Sequence, residues 1–333
     1  MRKRTFGNSD LETSVIGYGG WPMGRGQYGP FDDDNAIKSA KISYENGITL
    51  FDTAAIYGWG YGEKLMGKAI KDFRKNIVLV TKGAREWDRN NPDRNTATIA
   101  DSDPIKLANS IDESLRRLQT DYIDLFLIHW PDKTRPFSVP MEVLEKAKKD
   151  GKIRYSGVSN FSVSMMEESL QSSDIITNQI GYHIFDRRPE EEVMPYIKKK
   201  NMGIMAYGSM AHGLLTGRWN TSKTFSNDDW RQNTTNFGLH SWSKENLKSN
   251  LEVVNKIQEL GNEYNKSITQ LAISWVLAND TVSVALAGST KPENSKENIG
   301  GDWDMPDELK KEIDKIVLTT GSGVGKSGME IAT

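Results

Sequence analysis

The 333-residue chain contains no cysteine. That excludes disulfides and thiolate chemistry, and it suits a reducing, cytoplasmic setting. Charge of one sign is not in excess either: 43 Lys and Arg face 45 Asp and Glu, a formal net charge of -2. Such a balance leaves no broad electrostatic footprint for nucleic acid or an anionic membrane, and neither partner is expected. Long apolar runs are missing, since "IDLFLIHW" is far too short to span a bilayer. The opening "MRKRTFGNSD" is basic but has no apolar stretch behind it, so it is not read as a secretory signal. No metal site is assigned.

What is present is alternation. Eight short β-type runs lie at 14–19, 48–52, 77–82, 122–129, 153–158, 175–180, 203–208 and 282–288, several of them continuously apolar. That pattern belongs to parallel strands buried on both faces. Helix-type segments separate them at 32–46, 61–71, 104–118, 138–149, 162–171, 189–200 and 267–278, with another near 291–300. Extra helices are expected at 244–263 and 306–318. Asp103-Pro104 and Ser267 read as helix starts. Eight βα units predict an α/β fold, a single-domain (β/α)8 TIM barrel over 1–320 with an N-terminal hairpin, in preference to an open doubly wound sheet. Residues 321–333 read as a flexible tail. The long polar stretch 218–246 reads as a functional loop or lid.

Two glycine-rich stretches imitate phosphate loops. "GRGQYG" (24–29) matches G-x-G-x-x-G, but "PFDDD" follows and puts carboxylates where a pyrophosphate needs positive potential. "TGSGVGKS" (320–327) has threonine in place of the first glycine and no helix pattern after it. Neither is taken as a nucleotide site.

In a barrel, strand C-terminal ends converge on one site. The second strand ends on Asp52, with Tyr57 in the next loop. The third ends on Lys82, and the fourth on His129, followed by Trp130. Each has an ordinary structural reading, as a cap, an ion pair or a core residue. Four at equivalent positions make coincidence a poor account.

The stretches "GITLFDTAAIYGWGYGEKLMGKAI", "VTKGAREWD", "SLRRLQTDYIDLFLIHWPD", "GKIRYSGVSNFS", "NQIGYHIFDR" and "MAYGSMAHGLLTG" run along nearly the whole chain. Through them the sequence resembles the aldo-keto reductase family, in particular a bacterial branch of inositol-linked and general-stress reductases. The resemblance implies hydride transfer between a nicotinamide cofactor and a carbonyl or alcohol. It assigns Asp52, Tyr57, Lys82 and His129 as a catalytic tetrad.

The residue types suit that chemistry. Tyr57 is expected to give the proton as general acid. Lys82 is expected to lower its pKa, with Asp52 holding the lysine. His129 is expected to orient the substrate oxygen.

The resemblance also supplies cofactor contacts. Ser159, Asn160 and Gln179 match residues that bind the nicotinamide carboxamide, and Tyr207 matches the aromatic that stacks on its ring. Gly208, Ser209, Met210, Gly213, Leu215, Gly217 and Arg218 are expected around the pyrophosphate, and Gly20, Trp21 and Asp52 are also expected to touch the cofactor. Gly288, Ser289, Thr290, Lys291, Asn294, Glu297 and Asn298 are expected at the adenosine end. Ser289, Thr290 and Lys291 are expected to meet a 2'-phosphate, while Asn294 stands where NADPH-preferring relatives commonly carry arginine. A modest preference for NADPH over NADH is therefore expected.

Trp21, Tyr28, Trp59, His129 and Trp130 form an aromatic substrate wall suited to carbonyl compounds or sugars. His183 departs from the asparagine common in the family. The oligomeric state is left open. An alternative reading is a nicotinamide-sensing regulatory subunit like the potassium-channel β subunits, which share the fold and keep the tetrad.

Overall fold

The computed structural model describes residues 1–25, 28–88, 90, 98–222, 224–226, 229–232, 237 and 239–320. Two short antiparallel strands, β1 (Lys3–Thr5) and β2 (Glu12–Ser14), open the chain. Strands β3 (Ile16–Gly19), β4 (Leu50–Asp52) and β5 (Val78–Gly83) follow, with α1 (Asp33–Glu45) and α2 (Tyr61–Ile70) between them. A two-residue hairpin, β6 (Arg85–Glu86) and β7 (Ile99–Ala100), then leads to α3 (Pro104–Leu118). Next come β8 (Ile123–Ile128), α4 (Ser138–Lys149), β9 (Ile153–Ser159), α5 (Val163–Ser169), β10 (Ile175–Gly181), α6 (Val193–Lys199) and β11 (Gly203–Tyr207). The chain ends through α7 (Lys244–Glu263), α8 (Ile268–Leu277), β12 (Val282–Leu286), α9 (Pro292–Ile299) and α10 (Asp307–Thr320). Strands β3, β4, β5, β8, β9, β10, β11 and β12 pair in parallel and close into the expected barrel.

The helix starts are built as the residue types require. Asp103 accepts from the amides of Ile105 and Lys106, with Pro104 in the first turn, where its missing N–H costs nothing. Ser267 and Gln270 form a reciprocal capping box at α8. The helix expected over 189–200 divides into a single 3-10 turn at 188–190 and α6. Pro195 has no amide for a continuous helix, so it falls in the first turn of a new one. The β6–β7 hairpin was not foreseen; two-residue strands are too short for alternation to register.

The barrel has two cores. One, between strands and helices, takes the outward side chains such as Phe51, Leu79, Phe126 and Ile204. The other fills the barrel with Leu50, Val78, Val80, Leu125, Leu127, Met205 and Val284. Phe6 and Leu11, from the N-terminal hairpin, join this inner cluster. A Cβ at Gly157 would lie 2.7 Å from Leu127 and Thr177, so the interior has no room to spare.

Side chains alternate along a strand, so the residue two beyond an inward apolar side chain faces the same way. Asp52 follows Leu50, Lys82 follows Val80, His129 follows Leu127 and Tyr207 follows Met205 in this sense. The polar groups thus continue the inner rows past the apolar filling, at the C-terminal end of the barrel.

Candidate active site

Those rows open into a cavity of about 910 Å³. It reaches from Trp59 and Arg85, past Tyr57 and His129, to Lys291 and Asn298 beside α9. Of the residues expected at the cofactor, all but Gly20, Leu215 and Gly217 line it. Leu215 is fully buried and its amide donates to the Met210 carbonyl, so that expectation is not met at its side chain or its N–H. All five residues expected at the substrate line the cavity.

At the floor, Lys82 is wholly buried. Its Nζ lies 2.7 Å from Asp52 Oδ2, 2.8 Å from the Thr53 carbonyl and 3.2 Å from the Tyr57 hydroxyl. Gln179 donates to the other carboxylate oxygen, Asp52 Oδ1, at 2.9 Å. Burial pushes the Asp52 carboxyl up and the Lys82 ammonium down, and the charge of each opposes the shift in the other. A paired, fully hydrogen-bonded geometry is what lets two charges sit in so dry a place.

The expected lowering of the Tyr57 pKa is corrected here. Burial first, and then the Asp52 carboxylate, hold the phenol well above the ordinary tyrosine range. The Asp52 carboxylate offsets the neighbouring Lys82 charge, and desolvation of the phenol dominates. Tyr57 is therefore a protonated phenol. His129 is held neutral: burial, then the Lys82 and Arg85 charges, pull its pKa well down. Its ring stands edge-on to Tyr57 with centroids 5.8 Å apart, and its Nδ1 has no hydrogen-bond partner among the described residues. A neutral imidazole beside a protonated phenol forms a pair of groups able to share one acceptor oxygen.

Beside them, Ser159 donates to the Gln179 carbonyl at 2.9 Å, and Asn160 donates to Ser159 Oγ at 3.0 Å. Tyr207 donates to Asn160 Oδ1 at 2.8 Å. These amides are already engaged, and the Gln179 nitrogen expected to meet a carboxamide is taken by Asp52. At the far end, Arg218 donates to Asn294 Oδ1 at 2.6 Å. Lys291 caps α9 through its backbone and lines the cavity with its side chain exposed. Glu297 accepts from Ser267 Oγ.

This donor set fits a dinucleotide. An aromatic face and side-chain amides lie near the tetrad, with Arg218, Lys291 and a helix N-terminus at the other end. Gly208 has φ +68, and a Cβ there would meet the His212 ring at 3.0 Å. Only glycine turns the chain so closely there.

The aromatic wall is larger than expected. Trp230 stacks on Trp21 with centroids 5.2 Å apart, His212 stacks on Phe237 at 5.1 Å, and Phe237 stacks on Trp130 at 6.4 Å. His212, Trp230 and Phe237 were missed; for Trp230 and Phe237 the signal was the aromatic content of a long polar loop, and His212 lies in the stretch assigned to the pyrophosphate. Several residues of that loop, Trp230, Arg231, Gln232 and Phe237, line the cavity.

His183 serves as a turn acceptor: its Nδ1 takes the Phe185 amide at 3.2 Å. Burial pulls its pKa down to about 4, so the imidazole is neutral. The refused "GRGQYG" motif includes Gly26 and Gln27, outside the described residues. The helix after it is capped by Asp32, as its carboxylates implied. "TGSGVGKS" and the tail 321–333 lie outside the described residues apart from the backbone of Thr320 at the end of α10.

The family profile described as "Aldo/keto reductase family" matches residues 15–317. The chain belongs to this family. Aldo-keto reductase YhdN of Bacillus subtilis is 36% identical over 326 residues, covering 96% of this chain and 95% of that protein. An NADH-specific methylglyoxal reductase of Escherichia coli is 29% identical, covering 90% and 93%. The solved glycerol dehydrogenase AKR11B4 of Gluconobacter oxydans superposes with a TM-score of 0.87 at 32% identity, covering 98% of each chain. An aldo-keto reductase of this family is a nicotinamide-dependent oxidoreductase. None of its described helices is long and apolar enough to cross a membrane.

Proposed function

We propose that this aldo-keto reductase reduces the carbonyl of a small aldehyde, ketone or sugar, drawing on NADPH in preference to NADH. The single observation that carries the reading is the Lys82 ammonium, 2.7 Å from Asp52 and 3.2 Å from the Tyr57 hydroxyl at the floor of the aromatic cavity. The bound nicotinamide supplies the hydride. Tyr57 and His129 hold the carbonyl oxygen, and Tyr57 gives its proton as negative charge grows there. The raised pKa keeps the buried phenol protonated until negative charge grows on the carbonyl oxygen. Lys82 stabilises the phenolate left behind, and Asp52 with Gln179 keeps the lysine in place. Tyr207 presents a ring face for the nicotinamide, and Arg218 and Lys291 present positive charge for its phosphates. The E. coli relative named NADH-specific shows that cofactor choice varies among relatives, so the preference rests on Lys291. The lack of cysteine supports a cytoplasmic setting.

The test follows absorbance of the reduced cofactor while the purified protein meets a panel of aldehydes, ketoses, aldoses and polyols. Turnover with at least one carbonyl class supports the reading. Binding of NADPH with no turnover across the panel would favour a sensing role instead.

A further inference from the structure

Arg85 lies in β6 on the wall of the cavity, beside His129 and Trp130. Its guanidinium sits over the Trp130 ring, 5.3 Å from the centroid. Its Nε donates to Thr98 Oγ1 at 2.7 Å, and one Nη reaches the Thr98 carbonyl at 3.4 Å. It makes no ion pair with a described residue. Three other sequestered arginines differ: Arg117 meets Glu63 at 2.5 Å, Arg188 meets Asp186 at 2.7 Å and Arg231 meets Asp229 at 2.5 Å. Burial lowers the Arg85 pKa, and among the described residues no carboxylate offsets that.

A guanidinium stays charged in a protein, and withdrawing it from water without a counter-ion is costly. Here one edge is fixed by Thr98 and one face by Trp130, so the remaining donors are held at the cavity. Fixed, partly desolvated donors of this kind fit a planar or tetrahedral oxyanion. The position is also distinct from the cofactor end. Arg85 follows β5, whereas Arg218 and Lys291 follow β11 and β12. A molecule whose carbonyl rests between Tyr57 and His129 would cross Trp130 to reach it.

We propose that Arg85 anchors an oxyanion on the substrate, a carboxylate or phosphate carried away from the reacting carbonyl. This deepens the carbonyl-reductase reading and rests on it. The test compares paired aldehydes with NADPH: 4-carboxybenzaldehyde against its methyl ester, and glyceraldehyde 3-phosphate against glyceraldehyde. In the wild type the anionic member of at least one pair should have the higher kcat/KM by roughly tenfold or more, the scale of one charge-assisted contact. Arg85→Gln should collapse that ratio, mainly through KM, and Arg85→Lys should restore part of it. The pair that responds tells carboxylate from phosphate. A wild-type ratio near one in both pairs, or a ratio that Arg85→Gln leaves intact, overturns the proposal. If no aldehyde in either pair is reduced, the reductase reading is what fails. Calorimetric titration with benzoate and with inorganic phosphate then decides for Arg85 alone. Binding in the wild type that Arg85→Gln abolishes supports the anchor, and equal or absent binding in both overturns it.

Discussion

Gln179 donates to Asp52 Oδ1 at 2.9 Å, the carboxylate oxygen that Lys82 leaves free. The two residues stand 127 positions apart and meet only because β4 and β10 both end at the same mouth of the barrel. With both oxygens engaged, Asp52 cannot turn away, and Lys82 is held against Tyr57.

Removing the phenol tests the proton donor. Tyr57→Phe should lose at least ~10²-fold in kcat, the usual worth of one positioned acid. Cofactor affinity, read by fluorescence titration, should stay close to the wild type. Near-normal turnover in the folded variant would remove Tyr57 from proton transfer.

The buried pair carries a stability prediction. Lys82→Met leaves the Asp52 carboxylate buried without its cation and should cost about 3–5 kcal/mol in urea unfolding. Adding Asp52→Asn should recover much of that loss while activity remains absent. A double variant no more stable than the single one would mean that the charge imbalance is not the cause.

Acid should destabilise the fold through its buried histidines. The pKa of His183 falls to about 4 in the folded state, against an ordinary 6.5. Between these values the unfolded chain binds the extra proton, so stability is lost as pH falls from about 6.5 toward 4. His183 alone is worth about 3 kcal/mol across that window at 1.36 kcal/mol per unit. His129 and His212 are displaced in the same direction, each chiefly by burial. His183→Asn keeps a turn acceptor and removes one titration. Its urea midpoint should fall less steeply over the same pH range, and an unchanged slope would exclude His183 as a contributor.

Cofactor choice is tested at α9. Lys291→Ala should weaken NADPH by about 3- to 10-fold, the scale of an exposed charge meeting a dianion. NADH should hardly change, because it lacks the 2'-phosphate. Equal weakening of the two, or tighter NADH binding to the unaltered protein, would refute the assignment.

The sequence by itself determined the barrel and its catalytic rows. Apolar runs such as 77–82 and 203–208 have the period of strands buried on both faces. Caps such as Asp103 and Ser267 act over a few residues, where local chemistry decides. That Asp52, Lys82 and His129 lie within one residue of their strand ends is legible for the same reason. Only the tertiary structure decided what these groups are electrically. A lysine beside a phenol predicts a lowered pKa, yet burial and the Asp52 charge raise it, because desolvation depends on everything packed around the site. It also decided which residues complete the cavity. His212, Trp230 and Phe237 come from segments with no regular pattern, and Arg85 comes from a two-residue strand. Their placement depends on contacts across the barrel mouth, which no local spacing encodes.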